Sequence, residues 1–173
     1  MLVSEQGEQI RIADDGGLDD FGEAAAHFNL RQGGQGIKVG IVNADPYEHG
    51  ERAKLNLGHT IGHGLEAASG YAIRHGEAVA IGLVAEARLA QAVGLAEAGL
   101  AEEIADCLRG VGLPTHNLGS KPDAIRAAIG TDKKKAGGKL KFALPKRIGE
   151  VVWGVEVEDK LLRPVLETVT HAQ

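Results

Sequence analysis

The sequence predicts a mainly α-helical domain that carries a small β-hairpin near its C-terminus. Three observations support this fold class. Four successive segments between residues 48 and 130 are typical of helices, and glycines lie at their ends. Residues 139–144 and 150–157 are typical of two paired strands. No glycine-rich turn joins a strand to a helix, so the sequence carries no dinucleotide-binding fingerprint.

The N-terminal part of the chain gives a weak signal. Residues 14–17 and 33–36 are rich in helix breakers, and residues 18–30 show only a faint helical pattern. Residues 37–42 form a short apolar run. We therefore divide the chain into a divergent N-terminal segment, residues 1–36, and a helical domain, residues 37–173.

Residues 48–69 are predicted to form the first clear helix. Its adjacent turns carry Leu55, His59, His63 and Glu66. It also contains three glycines, Gly58, Gly62 and Gly64. Each glycine lowers helix propensity, so their presence indicates that another element packs closely against this helix.

Three further helices are predicted along the middle of the chain. Residues 77–93 form a strongly apolar helix that Gly94 ends. Residues 97–109 form an amphipathic helix whose inward residues are Leu100, Ile104, Cys107 and Leu108. Residues 120–130 begin with the spacing of a capping box, Ser120 to Asp123. The lysines of residues 133–135 then lie in a loop.

The C-terminal part of the chain is predicted to hold the hairpin and one last helix. In residues 150–157 the side chains of Val151, Trp153, Val155 and Val157 alternate with their neighbours, as in a strand. The last helix starts at about Asp159 and contains Pro164, which should bend the helix or delay its start.

Composition limits the classes of function. The chain has 173 residues, 43% of them hydrophobic and only 3% aromatic, which suits closely packed helices. A net charge of −5 argues against a nucleic-acid partner. The single cysteine, Cys107, and the acidic first 20 residues predict a cytoplasmic protein without a signal peptide. No apolar run is long enough to span a membrane.

Three of the seven histidines lie within 17 residues and indicate a metal site. His59 and His63 are four residues apart, on one face of a helix. His75 begins the next apolar helix, and imidazoles at such a junction suit a divalent metal. The residues alone leave two alternatives open, namely a packed histidine pair and a general acid–base role for His63.

Other polar residues are candidates for substrate binding. Arg52 and Asn56 lie one and two turns before His59 in the predicted helix, and they offer donors for an anionic or hydroxylated ligand. The alternative for Arg52 is an ion pair with Glu48. The lysine run suits a phosphate, although such runs are usually solvated. Glu77 is expected to cap its own helix.

These motifs together resemble the C-terminal domain of 3-dehydroquinate synthase. Residues 45–63 read Asp-Pro-Tyr-Glu-His-Gly-Glu-Arg-Ala-Lys-Leu-Asn-Leu-Gly-His-Thr-Ile-Gly-His, and residues 75–82 read His-Gly-Glu-Ala-Val-Ala-Ile-Gly. Shorter matches follow in order at residues 112–114, 132–134, 142–145 and 148–149. The resemblance covers residues 37–158.

The resemblance implies a two-domain enzyme that releases phosphate from 3-deoxy-D-arabino-heptulosonate 7-phosphate and forms 3-dehydroquinate in the shikimate pathway. An N-terminal domain of such enzymes binds NAD, and the C-terminal helical domain binds metal and substrate. By resemblance, His59 and His75 are ligands of Zn²⁺ or Co²⁺, and His63 is the catalytic histidine. The residues expected to contact substrate are Arg52, Asn56, Lys133 and Lys134.

The family's NAD domain and its third metal ligand, a glutamate, have no match in this sequence. We therefore expect a partial or split enzyme with negligible turnover alone, which is a homodimer when complete or takes an N-terminal half in trans. Two alternatives remain: a related sugar-phosphate cyclase of valiolone or inosose type, and a non-catalytic metal-binding helical domain.

Overall fold

The structure is a computed structural model that describes residues 51–117, 119–133 and 140–170. The N-terminal segment of residues 1–36, and the boundary that we place after it, lie outside the described residues. In chain order the elements are a 3₁₀ helix (Glu51–Asn56), α1 (His59–Ala68), α2 (His75–Ala92), α3 (Leu100–Gly110), α4 (Pro122–Lys133), β1 (Lys141–Arg147), β2 (Glu150–Glu156) and α5 (Asp159–Thr170). The predicted fold class, a helical domain with a small hairpin, is confirmed.

Helix α2 is the centre of the fold. It is buried from Ala78 to Ala87, because α1, α3, α5 and β1 all pack against it. Burial on every side explains why its sequence is apolar throughout rather than amphipathic. Gly94 has a φ of 72° and follows the last turn, which confirms the predicted stop. Among the described residues, no helix combines the length and apolarity that a bilayer-spanning segment needs.

The predicted helix over residues 48–69 is wrong as a single element. A 3₁₀ helix ends at Asn56, Gly58 adopts a φ of 81°, and an α-helix begins at His59. The chain must turn here because Gly58 is pressed against α2: a Cβ at Gly58 would lie 2.9 Å from the carbonyl oxygen of Val79. Arg52 and Asn56 therefore do not continue the helical face of His59, as the sequence predicted.

The crowding that the glycines indicated is confirmed. A Cβ on Gly82 of α2 would lie 2.1 Å from the carbonyl oxygen of Gly58, and a Cβ on Gly62 would lie 3.2 Å from the Cα of Val79. Side chains are absent at these positions, so the backbones of α1 and α2 approach closely. This contact sets the first turn of α1 against the middle of α2.

The outer elements differ from the predictions at their ends. Helix α3 buries Leu100, Ile104 and Leu108 as predicted, but Cys107 is only half-buried. Helix α4 begins at Pro122 and continues past Gly130 to Lys133, where a loop was expected. The last helix starts at Asp159 and includes Pro164 in its interior, so the proline does not delay it.

The hairpin is confirmed as an antiparallel pair. Phe142 pairs with Val155, Leu144 with Val152, and Arg147 with Glu150 across the turn. Phe142 and Leu144 are buried, and β1 packs on α2. Both strands also contact the 3₁₀ helix that carries Arg52 and Asn56. The hairpin thus supports the segment that leads into the histidine cluster.

Candidate metal centre

Three imidazole rings meet beside the packed pair α1 and α2: His59 and His63 lie on α1, and His75 is the first residue of α2. The ring centroids of His59 and His63 are 5.6 Å apart, those of His59 and His75 are 5.5 Å apart, and those of His63 and His75 are 5.7 Å apart. His63 and His75 are exposed, whereas His59 is half-buried. The structure therefore brings together all three histidines that the sequence singled out.

The ring of His59 is held by the turn that precedes α1. Its Nδ1 lies 3.1 Å from the carbonyl oxygen of Leu57. Because a carbonyl oxygen only accepts, Nδ1 carries the proton of this hydrogen bond and Nε2 keeps its lone pair. Burial lowers the pKa of His59, and the neighbouring rings of His63 and His75 lower it further against the opposing effect of the Leu57 carbonyl. A neutral imidazole with a free Nε2 is the form that binds a metal ion.

His75 is held in a similar way by a carboxylate. Its Nδ1 lies 3.2 Å from each of the two carboxylate oxygens of Glu66, which is on the last turns of α1. Metal-binding histidines commonly donate their second ring N–H to a carboxylate or a backbone carbonyl. His59 and His75 show one case of each, and this pattern favours them as the pair of ligands.

A second arrangement of the same residues is also present. Ligand atoms of His63, Glu66 and His75 all lie within 4.8 Å of one another, close enough to surround one ion. We favour the pair of His59 and His75 because both oxygens of Glu66 already lie at hydrogen-bond distance from Nδ1 of His75. In this arrangement Glu66 orients a ligand instead of being one.

The candidate substrate-binding residues are only partly described. Arg52 is half-buried and Asn56 is exposed, both on the 3₁₀ helix before the histidines. Lys133 ends α4, but its side chain is outside the described residues, as is all of Lys134. Glu77 accepts a hydrogen bond at 3.4 Å from the backbone N–H of Arg74, so its predicted role in capping α2 is confirmed.

The sequence reasoning missed Glu86, a carboxylate at the centre of the fold. It is fully buried in α2 and accepts hydrogen bonds from the backbone N–H groups of Gly58 and Ile61. The signal that reveals it is a single acidic residue within the long apolar stretch of residues 78–87. Such a residue is rarely buried without partners, so it points to a polar requirement inside the core.

Comparisons with known proteins agree with this architecture. The family described as "3-dehydroquinate synthase C-terminal" matches residues 23–135. Proteins named 3-dehydroquinate synthase are similar over most of the chain: that of Xylella fastidiosa (strain M12) is 40% identical over 136 residues, and that of Aeropyrum pernix is 39% identical over 136 residues. These alignments cover 75% and 79% of this chain. The chain belongs to the 3-dehydroquinate synthase C-terminal family.

The chain spans little more than a third of these relatives, 37% of the Xylella protein and 36% of the Aeropyrum protein. Both relatives are named as synthases and are therefore enzymes. The activity of these full-length relatives is therefore not shown for this chain.

Solved structures show the same fold. A 2-deoxy-scyllo-inosose synthase complexed with carbaglucose-6-phosphate, NAD⁺ and Co²⁺ has a TM-score of 0.69 and 26% identity, covering 78% of this chain and 38% of its own. A 2-epi-5-epi-valiolone synthase from Streptomyces hygroscopicus, with NAD⁺ and Zn²⁺ bound, has a TM-score of 0.65 and 27% identity, covering 78% and 37%. Such cyclases thus hold NAD⁺ together with one of the two metals that the sequence analysis named.

Proposed function

We propose that this chain is the metal- and substrate-binding part of a 3-dehydroquinate synthase. The observation that carries the proposal is the histidine triangle, in which Nδ1 of both His59 and His75 meets an oxygen acceptor and Nε2 is left for a metal ion. The 40% identity to proteins named for this reaction supports the choice of reaction.

The donor set fits the proposed ion. Imidazole nitrogens suit Zn²⁺ and Co²⁺, and the lowered pKa of His59 keeps its ring neutral near pH 7. A bound divalent ion would lower the pKa of substrate hydroxyls and polarise a carbonyl. By analogy with the family, the third ligand would be a glutamate that has no match in this sequence.

We assign the remaining roles to side chains around the triangle. His63 is exposed beside the two ligands, where its ring can accept or return a proton on the substrate. Arg52 would bind a carboxylate or phosphate through its guanidinium, and Asn56 would bind hydroxyl groups. Lys133 and Lys134 would hold the departing phosphate. NAD would supply the transient oxidation and reduction that the family's reaction requires.

Reconstitution tests this function directly. The chain is incubated with Zn²⁺, NAD⁺ and 3-deoxy-D-arabino-heptulosonate 7-phosphate, with and without a homologous N-terminal half, while phosphate and 3-dehydroquinate are measured. We expect product only when both halves are present. Robust turnover by the chain alone would contradict the assignment as a part, and an inactive mixture that still binds metal would favour a non-catalytic metal-binding domain.

A related cyclase is the second candidate, because two solved structures at 26% and 27% identity are an inosose and a valiolone synthase. The same reconstituted mixture is offered glucose 6-phosphate, of which carbaglucose-6-phosphate is the carbocyclic analogue. Preference for that substrate over the heptulosonate phosphate would support the second candidate and remove the first.

A further inference from the structure

Glu86 lies in the core of the fold, away from the roles assigned above. Its side chain has no exposed surface, and it is the one acidic residue among the fully buried side chains of the described part of the chain. A buried carboxylate is costly unless several donors surround it. The hydrogen-bond donors around Glu86 therefore indicate its role.

Both oxygens of Glu86 accept hydrogen bonds from the start of α1. Oε2 is 2.5 Å from the backbone nitrogen of Gly58, and Oε1 is 3.2 Å from that of Ile61. These are the N-cap residue and the third residue of the helix, whose N–H groups have no partner within the helix. In a capping box two side chains of the same helix bind these two groups, whereas here one carboxyl group from α2 binds both.

The sequence of α1 cannot supply this cap itself. The N-cap residue is Gly58, which has no side chain and a φ of 81°. A larger residue would meet Leu83, since a Cβ at Gly58 would lie 2.9 Å from its Cγ. The close approach of the backbones at Gly82 excludes a local cap, and Glu86, one turn further along α2, takes its place.

His59 lies between the two bonded groups as the first residue of α1. Its ring is directed by the hydrogen bond to Leu57, immediately before Gly58. We infer that Glu86 is a positioning residue, which fixes the first turn of α1 and thereby holds His59 at the distance from His75 that a shared metal ion requires. This inference rests on the proposed metal site.

The experiment compares Co²⁺ binding and backbone protection in the full chain. Co²⁺ is titrated while its visible absorption is followed, and amide hydrogen exchange is measured at Gly58 and Ile61 without metal. The variants are Glu86→Gln, which keeps the size of the side chain but offers only one acceptor oxygen, and Glu86→Asp, which is too short to reach both groups. Circular dichroism first establishes that each variant is folded.

Two controls separate positioning from stability. Ile104→Ala removes a buried side chain of α3 and leaves Glu86, Gly58 and Ile61 in place, so it lowers stability without removing the cap. His59→Ala removes the ligand itself. We expect Glu86→Gln to weaken Co²⁺ binding by about tenfold, the low end of the loss on removing a group that hydrogen-bonds a ligand directly, and to speed amide exchange at Gly58 and Ile61. The Co²⁺ affinity of Glu86→Asp should lie between those of the wild type and Glu86→Gln. Ile104→Ala should bind Co²⁺ with the affinity of the wild type.

The results distinguish failure of the positioning role from failure of the proposed metal site. Wild-type Co²⁺ affinity in a folded Glu86→Gln variant, with affinity lost in His59→Ala, would overturn the positioning role and leave the metal site intact. Wild-type affinity in His59→Ala would instead overturn the proposed site, whatever Glu86 does. If Glu86→Gln does not fold, Glu86→Asp carries the comparison by the same criteria.

Discussion

At the scale of single residues, the hydrogen bonds of the three histidine rings determine which ring nitrogens are available to a metal ion. In His59 and His75 the Nδ1 atom is hydrogen-bonded to an oxygen, which leaves Nε2 for a ligand, whereas His63 is the member without such a hydrogen bond among those found in the described residues. The three rings are nearly equidistant, so their separation alone does not say which two bind a metal. The hydrogen bonds at Nδ1 are the reason why we propose His59 and His75 as the two ligands.

Single alanine substitutions test the distinction. We expect His59→Ala to weaken Zn²⁺ binding by more than about 100-fold, because the loss of a ligand exceeds the loss of an outer-sphere partner. His63→Ala, on the same helix and in the same cluster, is the matched control and should bind Zn²⁺ nearly as the wild type does. Isothermal titration calorimetry measures both. If His63→Ala weakened Zn²⁺ binding more than His59→Ala did, the metal site would instead consist of His63, Glu66 and His75.

We expect Glu66 to affect Zn²⁺ binding only through its hydrogen bond to His75. Replacing it by glutamine removes a carboxylate that faces Nδ1 of His75 at 3.2 Å, so the ring loses its orientation and some basicity. We expect Zn²⁺ affinity to fall by about 10- to 100-fold in Glu66→Gln. Glu77→Gln is the control, because Glu77 binds the backbone of Arg74 and, within the described residues, is hydrogen-bonded to no imidazole ring. Equal affinities in the two variants would show that Glu66 does not orient His75.

At the scale of the elements, sequence periodicity was enough to find every helix and both strands of the described part, but not the break before His59. Leu55, His59 and His63 recur at helical spacing, and nothing local in that pattern separates a 3₁₀ turn from an α-helix. The break arises from a contact with α2, at Gly82, which is distant in sequence. Local patterns cannot report a steric limit that another helix imposes.

The close approach of α1 and α2 can be tested at Gly82. Gly82→Ala places a Cβ 2.1 Å from the carbonyl oxygen of Gly58, a backbone atom that can move only with the whole first turn. We expect the free energy of unfolding to fall by about 3 kcal/mol, at the upper end for an overpacked core. Urea denaturation followed by circular dichroism gives the value.

Gly130→Ala is the control for this substitution. Gly130 lies inside α4, and no atom of the described residues lies within 4 Å of the added Cβ, so alanine should raise stability by about 0.5–1 kcal/mol through helix propensity. Similar effects at the two glycines would mean that propensity, and not helix contact, sets the cost at Gly82.

At the scale of the whole molecule, the proposed metal ligands could be predicted from the sequence, whereas the residues that orient them could not. The histidines are recognisable by residue type and spacing. Glu66 and Glu86 acquire their roles from contacts between helices, with His75 in one case and with the start of α1 in the other. One helix pair, packed through small residues, therefore carries the proposed ligands and the groups that orient them.

We expect Glu86 to make the stability of the whole fold depend on pH. Burial raises the pKa of its carboxyl group from 4.5 to about 8, and the hydrogen bonds from the backbone of α1 oppose this rise without offsetting it. Between these two values the folded chain keeps a proton that the unfolded chain has released. This contribution to stability is full below about pH 4.5 and declines as the pH rises to 8, by at most about 1.4 kcal/mol per pH unit.

Comparison with Glu86→Gln isolates this effect from other titrating groups. His59 acts in the opposite direction, because its lowered pKa makes stability rise as the pH increases towards 6.5; its contribution ends near pH 6.5, so the comparison between pH 7 and 8 reports Glu86. Urea denaturation at pH 5, 6, 7 and 8 should show the wild type losing free energy of unfolding relative to the variant at each step. A difference that stays constant over this range would mean that Glu86 is ionised in the folded chain throughout, and that the hydrogen bonds from α1 outweigh its burial.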